Sequence, residues 1–467
     1  MNLRAFCFIA LVTACGPSMR PTDDDNGPCS PGAVAECYSG QDGTDGVGPC
    51  HAGKKTCQSD KSWGGCNNEV VPARENCTDS VDNNCNGMTD EDLDLDGDGF
   101  TTCAGNDCCD STECGGPELV NEGAYDAAGN NVDDDCNGVI DDATPVCDTS
   151  LASNSQVGME FAQAIDVCQA ATVNDRRWGV LEAKLTHADG NGNPDPEGHA
   201  IRPKFGTNGL PMGGTKLAIL STGGAAAKGD TNPGFHEWVG GYAHRVPNTS
   251  DFPQDFIDAN NGNLPNAPGC PGPDGDFASD PQMLTLRVRV PTNARSFKFS
   301  SNFFSSEFPE YTCSKYNDFF VVLLDSTYAG SPSNPTDKNL AFYQDPSTMM
   351  KYPVGVNLAY GNTGLFTQCV NGRTGCAGKA GNIMTCTSTD MLANTGMDKA
   401  APNQCDGNSL EGGATGWLTT AGNVMPGAVI TLRIAIWDTS DHNRDSAVLL
   451  DGFQWSTELA TPGTVID

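Results

Sequence analysis

The sequence is short of positive charge. Its 467 residues include 26 Lys and Arg against 60 Asp and Glu, so the formal net charge is −34. Nucleic acids and anionic membrane surfaces are bound through positive faces, which makes both unexpected partners for this chain. The shortage is greatest from Glu75 to Asp142, where 20 acidic residues occur without one Lys or Arg. We therefore expect a separate acidic module there.

After its first residues the chain also lacks any long apolar run. It begins MNLRAFCFIALVTACG, in which Arg4 precedes a short apolar stretch and then Val12-Thr13-Ala14-Cys15. The stretch is too short to span a bilayer and is typical of a secretory signal. Its end resembles a bacterial lipobox, so we predict lipidation at Cys15, with an ordinary signal cut near Ala14 as the alternative. The predicted location is the bacterial envelope, at the outer membrane or the cell surface.

Cysteine, by contrast, is abundant. The chain has 22 cysteines, and an even number, 20, remains if Cys7 and Cys15 belong to the leader. This suits disulfides in an exported protein. The six cysteines from Cys29 to Cys77 occupy a segment with little to bury, so we expect three disulfides to hold it, with zinc as the alternative. The adjacent Cys108 and Cys109 are expected to bond to two different partners, since a bridge between neighbours strains the backbone.

Composition predicts five parts. They are a lipoprotein signal (1–15), a flexible tether (16–28), a cysteine-rich module (29–74), acidic metal-binding repeats (75–146) and a large domain (147–467). In the large domain we expect one helix from Ser153 to Ala170, with Phe161, Ile165 and Cys168 on one face.

The remaining signals in the large domain are strands. Apolar residues alternate with polar ones over 284–290 and 430–436, which indicates half-buried strands. The runs NDFFVVLLD and SAVLLDGFQW indicate strands buried on both faces. The predicted fold class is mainly β: an antiparallel β-sandwich with long loops and one helix, preceded by small disulfide-rich and calcium-loop modules.

The acidic module contains six carboxylates in the nine residues 90–98. Each close pair repels by roughly 0.8 kcal/mol in water, so the stretch is either solvated and disordered or built around a cation. Asp94, Asp96 and Asp98 with Gly99 begin an EF-hand-like calcium loop, although the usual Glu is replaced by Gly105. Asp107 or Asp110 would then have to complete the ligand shell.

Calcium is the favoured ion because the available ligands are hard oxygens and no histidine lies between His51 and His187. A solvated acidic spacer and another metal are the alternatives. An internal repeat widens the candidate set, since residues 81–91 match residues 132–142 at an offset of 51. The predicted metal ligands are Asp82, Asp90, Asp92, Asp94, Asp96, Asp98, Asp107, Asp110, Asp133, Asp135 and Asp141.

Two resemblances follow from these residues. The phrases ENCTDSVDNNCNGMTDED and DLDLDGDGF resemble the MopE-type metal-binding repeats of secreted bacterial proteins, a name associated with copper binding in one member. The phrases FKFSSNFFSSEFPEYTCSKYNDFFVVLLD and LRIAIWDTSDHNRDSAVLLDGFQW resemble the choice-of-anchor L family over about Cys147 to Trp455. The second resemblance implies a β-rich surface domain whose anchor here would be the lipid. It implies no known reaction.

Oxygen ligands at predicted strand ends make a second metal site possible in the large domain, with turn-capping as the alternative reading. Its candidates are Glu307, Asn317, Asp318, Asp438 and Asp445.

Enzyme signals are weak. HEWVGGYAH lacks the second histidine of a zinc-protease helix, and no nucleophile elbow or phosphate-binding loop occurs, so we predict no catalytic residues. We expect a surface-anchored calcium-binding lipoprotein with a structural, adhesive or ligand-binding role. Its partners would be the membrane, through the lipid, and a polysaccharide or protein. The alternatives are a secreted-type hydrolase with its site on sandwich loops and a copper-acquisition protein.

Overall fold

The computed structural model describes residues 29–103, 106–110, 116–242, 247–361, 363–377, 383–401, 405 and 409–466. Cys15, the signal segment 1–15 and the tether 16–28 lie outside them. Contacts divide the chain into two compact units, Met1–Leu93 with Thr102–Ala104 and Asp94–Thr101 with Gly105–Asp467. The acidic segment is therefore shared between the two units.

The first unit is held mainly by disulfides. Strands β1 (Val34–Cys37) and β2 (Gly53–Thr56) form an antiparallel hairpin. The bridges are Cys29–Cys57, Cys37–Cys66, Cys50–Cys85 and Cys77–Cys103. The prediction of three disulfides closed within Cys29–Cys77 is wrong, because two of these six cysteines bond to cysteines of the acidic segment. Such bridges restrict the unfolded chain, which matters most where little core can form.

The second unit is mainly β. Among its described residues, single-turn 3₁₀ helices lie at Pro117–Leu119, Val356–Ala359 and Asp390–Leu392. Its helices and strands, in chain order, are α1 (Gly158–Gln163), β3 (Gly179–Thr186), β4 (His199–Arg202), β5 (Leu217–Ser221), β6 (Thr249–Ser250), α2 (Gln254–Ala259), β7 (Ala278–Arg289), β8 (Ser296–Ser305), β9 (Phe319–Asp325), β10 (Phe342–Gln344), β11 (Lys351–Pro353), β12 (Gly372–Arg373), β13 (Ile383–Met384), β14 (Ala400–Ala401), β15 (Ser409–Leu410), β16 (Gly413–Ala414), β17 (Leu418–Asn423), β18 (Val429–Asp438), β19 (Ser446–Ser456) and β20 (Gly463–Ile466).

Two antiparallel sheets pack face to face. One has the order β20-β17-β8-β19-β5-β4, with β16 also paired to β8, and the other has the order β3-β7-β18-β9, with β6 also paired to β7. A shared core contains Leu286 and Leu432 from the second sheet and Phe299 and Leu450 from the first. The sandwich and the mainly β fold class are therefore confirmed.

The alternating patterns give the predicted strands. In β18 the apolar residues Ile430, Leu432 and Ile434 are buried, while the intervening Thr431 and Arg433 are only partly buried. All but the last residue of β9 are buried, as expected for a strand covered on both faces. β-Branched and aromatic residues fill these strands because they fit a pleated, packed surface.

Helix α1 is much shorter than the predicted Ser153–Ala170. The hydroxyl of Ser155 accepts a hydrogen bond from the N–H of Val157 (3.1 Å), which fixes a turn just before the helix. Asp166, with a φ of 71°, then departs from helical geometry. Phe161 and Ile165 are buried as expected. Cys168 lies beyond the helix and is bonded to Cys147.

Disulfides also brace the second unit. They join Cys108–Cys136, Cys147–Cys168, Cys270–Cys313, Cys369–Cys386 and Cys376–Cys405. Cys109 is disulfide-bonded too, so it and Cys108 do not bond to each other. Every cysteine within the described ranges is oxidised, as expected of an exported chain.

Candidate metal centres

The loop from Asp94 to Asp110 is shaped by its own carboxylates. Asp94 accepts hydrogen bonds from the N–H groups of Gly97 (2.7 Å) and Gly99 (3.1 Å). Gly97 and Gly99 have φ values of 83° and 90°, a region that residues with a Cβ rarely adopt. The glycines therefore permit the tight turn that brings alternate aspartates together.

Two overlapping groups of three carboxylates result. Oxygen atoms of Asp94, Asp96 and Asp98 lie within 4.8 Å of one another, and so do oxygen atoms of Asp96, Asp107 and Asp110. In the part of the chain that the structure describes, no other group of three or more His, Cys, Asp or Glu side chains brings its ligand atoms this close together. Asp96 belongs to both groups. Asp107 and Asp110 thus lie where a replacement for the missing Glu is needed.

Two oxygen atoms in this loop have no hydrogen-bond partner among the described residues, Oδ2 of Asp96 and Oδ2 of Asp107. Asp107 is only 1% exposed. Burial raises the pKa of Asp107 to about 7, and the carboxylate of Asp110 adds to the shift. Burial also raises the pKa values of Asp96 and Asp98. A buried carboxylate without a donor or a cation is costly, so the loop is chemically suited to a cation with oxygen ligands.

The other predicted ligands of the acidic segment hold turns. Asp82 accepts hydrogen bonds from Asn86 N and Gly87 N, and Asp133 accepts them from Asn137 N and Gly138 N. The remaining four also accept backbone N–H groups: Asp90 from Ser80, Asp92 from Cys103, Asp135 from Asn137, and Asp141 from Gly129, Asn130 and Asn131. The structure does not gather these six with the loop carboxylates.

The internal repeat extends further than its sequence match. Glu75 accepts hydrogen bonds from the N–H groups of Asn84 and Asp90. Asp126, which lies 51 residues later, accepts hydrogen bonds from the N–H groups of Asp134 and Asp142. Sequence reasoning missed this pair because the two residues differ and precede the matching block. Each copy is thus a turn closed by an upstream carboxylate.

The strand-end candidates meet at one end of the sandwich. Asp318 directly precedes β9 and Asp438 ends β18, and these strands are neighbours in one sheet. Glu307 follows β8 and Asp445 directly precedes β19, and these strands are neighbours in the other sheet. All four side chains are buried, with exposures of 1 to 2%. The fifth candidate, Asn317, instead accepts a hydrogen bond from Asn357 N at a neighbouring turn.

Two further carboxylates border this end of the sandwich. Asp280, which sequence reasoning did not select, accepts hydrogen bonds from the Asn248 N–H (3.0 Å) and pairs with His442 (2.5 Å). Burial is the main reason that the pKa values of Glu307 and Asp318 are raised, and the nearby carboxylate of Asp441 raises them further. No sequence signal marked Asp280, because it lies in the first part of β7, before the alternating residues 284–290.

Residues 280–454 match the family model of the Choice-of-anchor L domain. The match contains Glu307, Asp318, Asp438 and Asp445, and it begins well after the Cys147 at which the resemblance was expected to start. It indicates a protein associated with the cell surface. Neither the comparison with curated proteins nor the comparison with solved structures found a match.

No helix in the described part of the chain has the length and apolar character needed to cross a bilayer.

Proposed function

We propose that this chain is a calcium-stabilised surface lipoprotein, attached through lipid on Cys15, with a structural or adhesive role at the cell envelope. Its β-sandwich would contact a polysaccharide or protein outside the cell. The single observation that carries calcium binding is the gathering of Asp94, Asp96, Asp98, Asp107 and Asp110 around carboxylate oxygens that lack donors.

The ligand chemistry supports calcium over other ions. All five side chains offer hard oxygen atoms, and calcium accepts six to eight of these in flexible arrangements. Zinc and copper prefer imidazole or thiolate. The cysteines near this loop in the sequence, such as Cys103 and Cys108, are oxidised and therefore do not offer thiolates. The resemblance to MopE-type repeats is consistent with a metal in this region.

A calcium ion here would offset the repulsion within the acidic segment. An extracellular-type site with a Kd near 10⁻⁴ M adds about 1.4 kcal/mol at roughly 1 mM calcium. The segment has few apolar residues to bury, so this contribution would decide whether the loop stays ordered.

Limited proteolysis of the full chain, with calcium or with EDTA, tests the proposal. We expect residues 94–142 to be protected in calcium and cleaved after chelation. The double variant Asp96→Asn/Asp107→Asn should be cleaved under both conditions. Asp258→Asn, which alters an exposed carboxylate on α2, should behave like the unaltered protein. Equal cleavage of the unaltered protein with and without calcium would refute calcium binding and favour a solvated spacer.

A further inference from the structure

The end of the sandwich holds carboxylates that the fold itself leaves without compensation. Among the described residues, both oxygens of Asp438, Oε2 of Glu307 and Oδ1 of Asp445 are buried and have no hydrogen-bond partner in good geometry, although the Thr222 side chain lies near Asp438. Turn-capping, the alternative reading for strand-end carboxylates, would have given these atoms backbone N–H donors. They are available to a ligand instead.

The surrounding charges supply only part of that compensation. The charged neighbours that act on Asp438 and Asp445 among the described residues are other carboxylates, Asp318, Asp280 and Asp441 among them. Arg444 partly offsets the charge of Glu307, although its guanidinium donates to the backbone carbonyl of Ser306 (2.9 Å) and not to the carboxylate. Burying several like charges is strongly unfavourable unless a cation joins them.

The backbone leaves room at this position. Gly223, which follows β5, lies so close to Asp445 that a Cβ there would come within 2.2 Å of the Asp445 Oδ2 atom. Glycine at this position therefore leaves room for the Asp445 carboxylate. Asp318 lies next to β9 of the other sheet. Its Oδ2 accepts a hydrogen bond from the hydroxyl of Ser446, the first residue of β19.

We propose that Glu307, Asp318, Asp438 and Asp445 form a second calcium site, located between the two sheets at the end of the sandwich. The donors are all oxygen atoms, which calcium prefers, and Asp438 offers two of them. These oxygens are spread more widely than those of the Asp94–Asp110 loop, since they are not among the groups gathered within 4.8 Å. Mutual repulsion favours that spacing, and an ion would draw the side chains inward.

The site would join the two sheets. Asp318 and Asp438 lie at strand ends of one sheet, and Glu307 and Asp445 lie just outside strand ends of the other. Its ion would therefore resist separation of the sheets at this end, independently of the ion proposed for the loop.

Counting bound calcium on the full chain, by equilibrium dialysis and metal analysis, tests this site. We expect Asp438→Asn to bind one ion fewer than the unaltered protein. The loop variant Asp96→Asn/Asp107→Asn should retain that ion, and Asp258→Asn should match the unaltered protein. Retention of the full count by Asp438→Asn would overturn the proposal, and so would a loop variant that binds no calcium.

A second measurement avoids any dependence on the folding of Asp438→Asn. Terbium replaces calcium at oxygen sites and emits when a nearby tryptophan is excited. Trp437 precedes Asp438, and the Trp238 carbonyl accepts a hydrogen bond from Asp445 N (2.9 Å). In the loop variant we expect tryptophan-sensitised terbium emission that calcium abolishes by competition. Absence of this emission would overturn the proposal, whereas failure in the loop alone would affect only the proposed function.

Discussion

At the scale of single residues, Asp166 and Asp451 form a carboxylate pair unlike the metal candidates. Asp451 is fully buried and accepts hydrogen bonds from Met212 N (2.5 Å) and Gly213 N (3.2 Å). Burial raises the pKa of Asp451 to about 7 and that of Asp166 to about 6. The carboxylate of Asp148 adds to the shift of Asp166, and that of Asp166 adds to the shift of Asp451.

This pair makes stability fall as pH rises. In the unfolded chain both groups have pKa values near about 3.9, so between roughly pH 4 and 7 the unfolded chain binds fewer protons than the folded one. Asp166→Asn mimics the protonated form. We expect it to stabilise the protein by about 1–2 kcal/mol at pH 8 and to have little effect at pH 4.

Urea unfolding at both pH values, in saturating calcium, measures the difference. Asp258→Asn serves as the control for loss of one surface charge. If Asp166→Asn and the unaltered protein lose the same free energy of unfolding between pH 4 and pH 8, the raised pKa of Asp166 does not affect folding.

At the scale of elements, helix α2 is fastened to the sheet by an ion-pair network. Arg433 of β18 donates two hydrogen bonds to Asp255 of α2, at 2.9 and 2.6 Å, and one to Asp325 at the end of β9 (3.2 Å). Lys338 also contacts both carboxylates. The two-pronged geometry fixes the orientation of the helix as well as its position.

The contribution of this network to stability should depend on pH in the sense opposite to that of Asp166 and Asp451. The hydrogen bonds from Arg433 hold the pKa of Asp255 well below its usual range. Its contribution is therefore complete above an unfolded-state pKa of about 3.9 and is lost as pH falls toward the folded-state value. We expect Asp255→Asn to cost about 1–2 kcal/mol at pH 7, a figure reduced for partial exposure, and less at pH 3.

Thermal or urea unfolding of Asp255→Asn beside Asp258→Asn, its neighbour on the same helix, provides the comparison. If Asp255→Asn is as stable as Asp258→Asn at pH 7, the network does not hold the helix. The same follows if Asp255→Asn loses as much stability at pH 3 as at pH 7.

Elements also show what the sequence predicts well. Strands β7, β9 and β18 follow from alternation and apolar runs, because those patterns reflect burial that is local to one strand. The predicted helix from Ser153 to Ala170 is too long, because its apolar spacing continues beyond α1 into the turn at Asp166 and the Cys147–Cys168 disulfide. Asp280 was missed because its pairing with His442 joins residues far apart in the sequence. Such contacts depend on sheet topology, which spacing does not encode.

At the scale of the whole molecule, composition predicts an exported, disulfide-rich chain. The disulfides of the described residues agree, and the family match indicates surface association. The individual disulfide pairings could not be predicted from the sequence, because six cysteines alone allow 15 arrangements. The Cys50–Cys85 bridge crosses the predicted border between residues 74 and 75, which was placed at a change in composition.

Attachment to the envelope is testable at this scale. We expect Cys15→Ser to move the protein from the membrane fraction to the soluble fraction, because an acyl chain would be its anchor. A second variant, Cys7→Ser, alters a cysteine of the same leader and should remain membrane-bound. Fractionation at high salt with immunodetection measures both. A Cys15→Ser protein that stays with the membrane would contradict lipid anchoring at this residue.

The order of strands in the two sheets bears on where this molecule can be divided. The family match at 280–454 omits β3 and β6, which pair with β7, β5, which pairs with β19, and β20, which pairs with β17. A fragment cut at those limits would expose rows of unpaired backbone N–H and C=O groups along β7, β19 and β17. Open edges of this kind invite pairing with other chains, so the matched segment alone would tend to self-associate. A portion with these edges covered must therefore reach back to β3 and forward to β20, beyond the part that sequence similarity identifies.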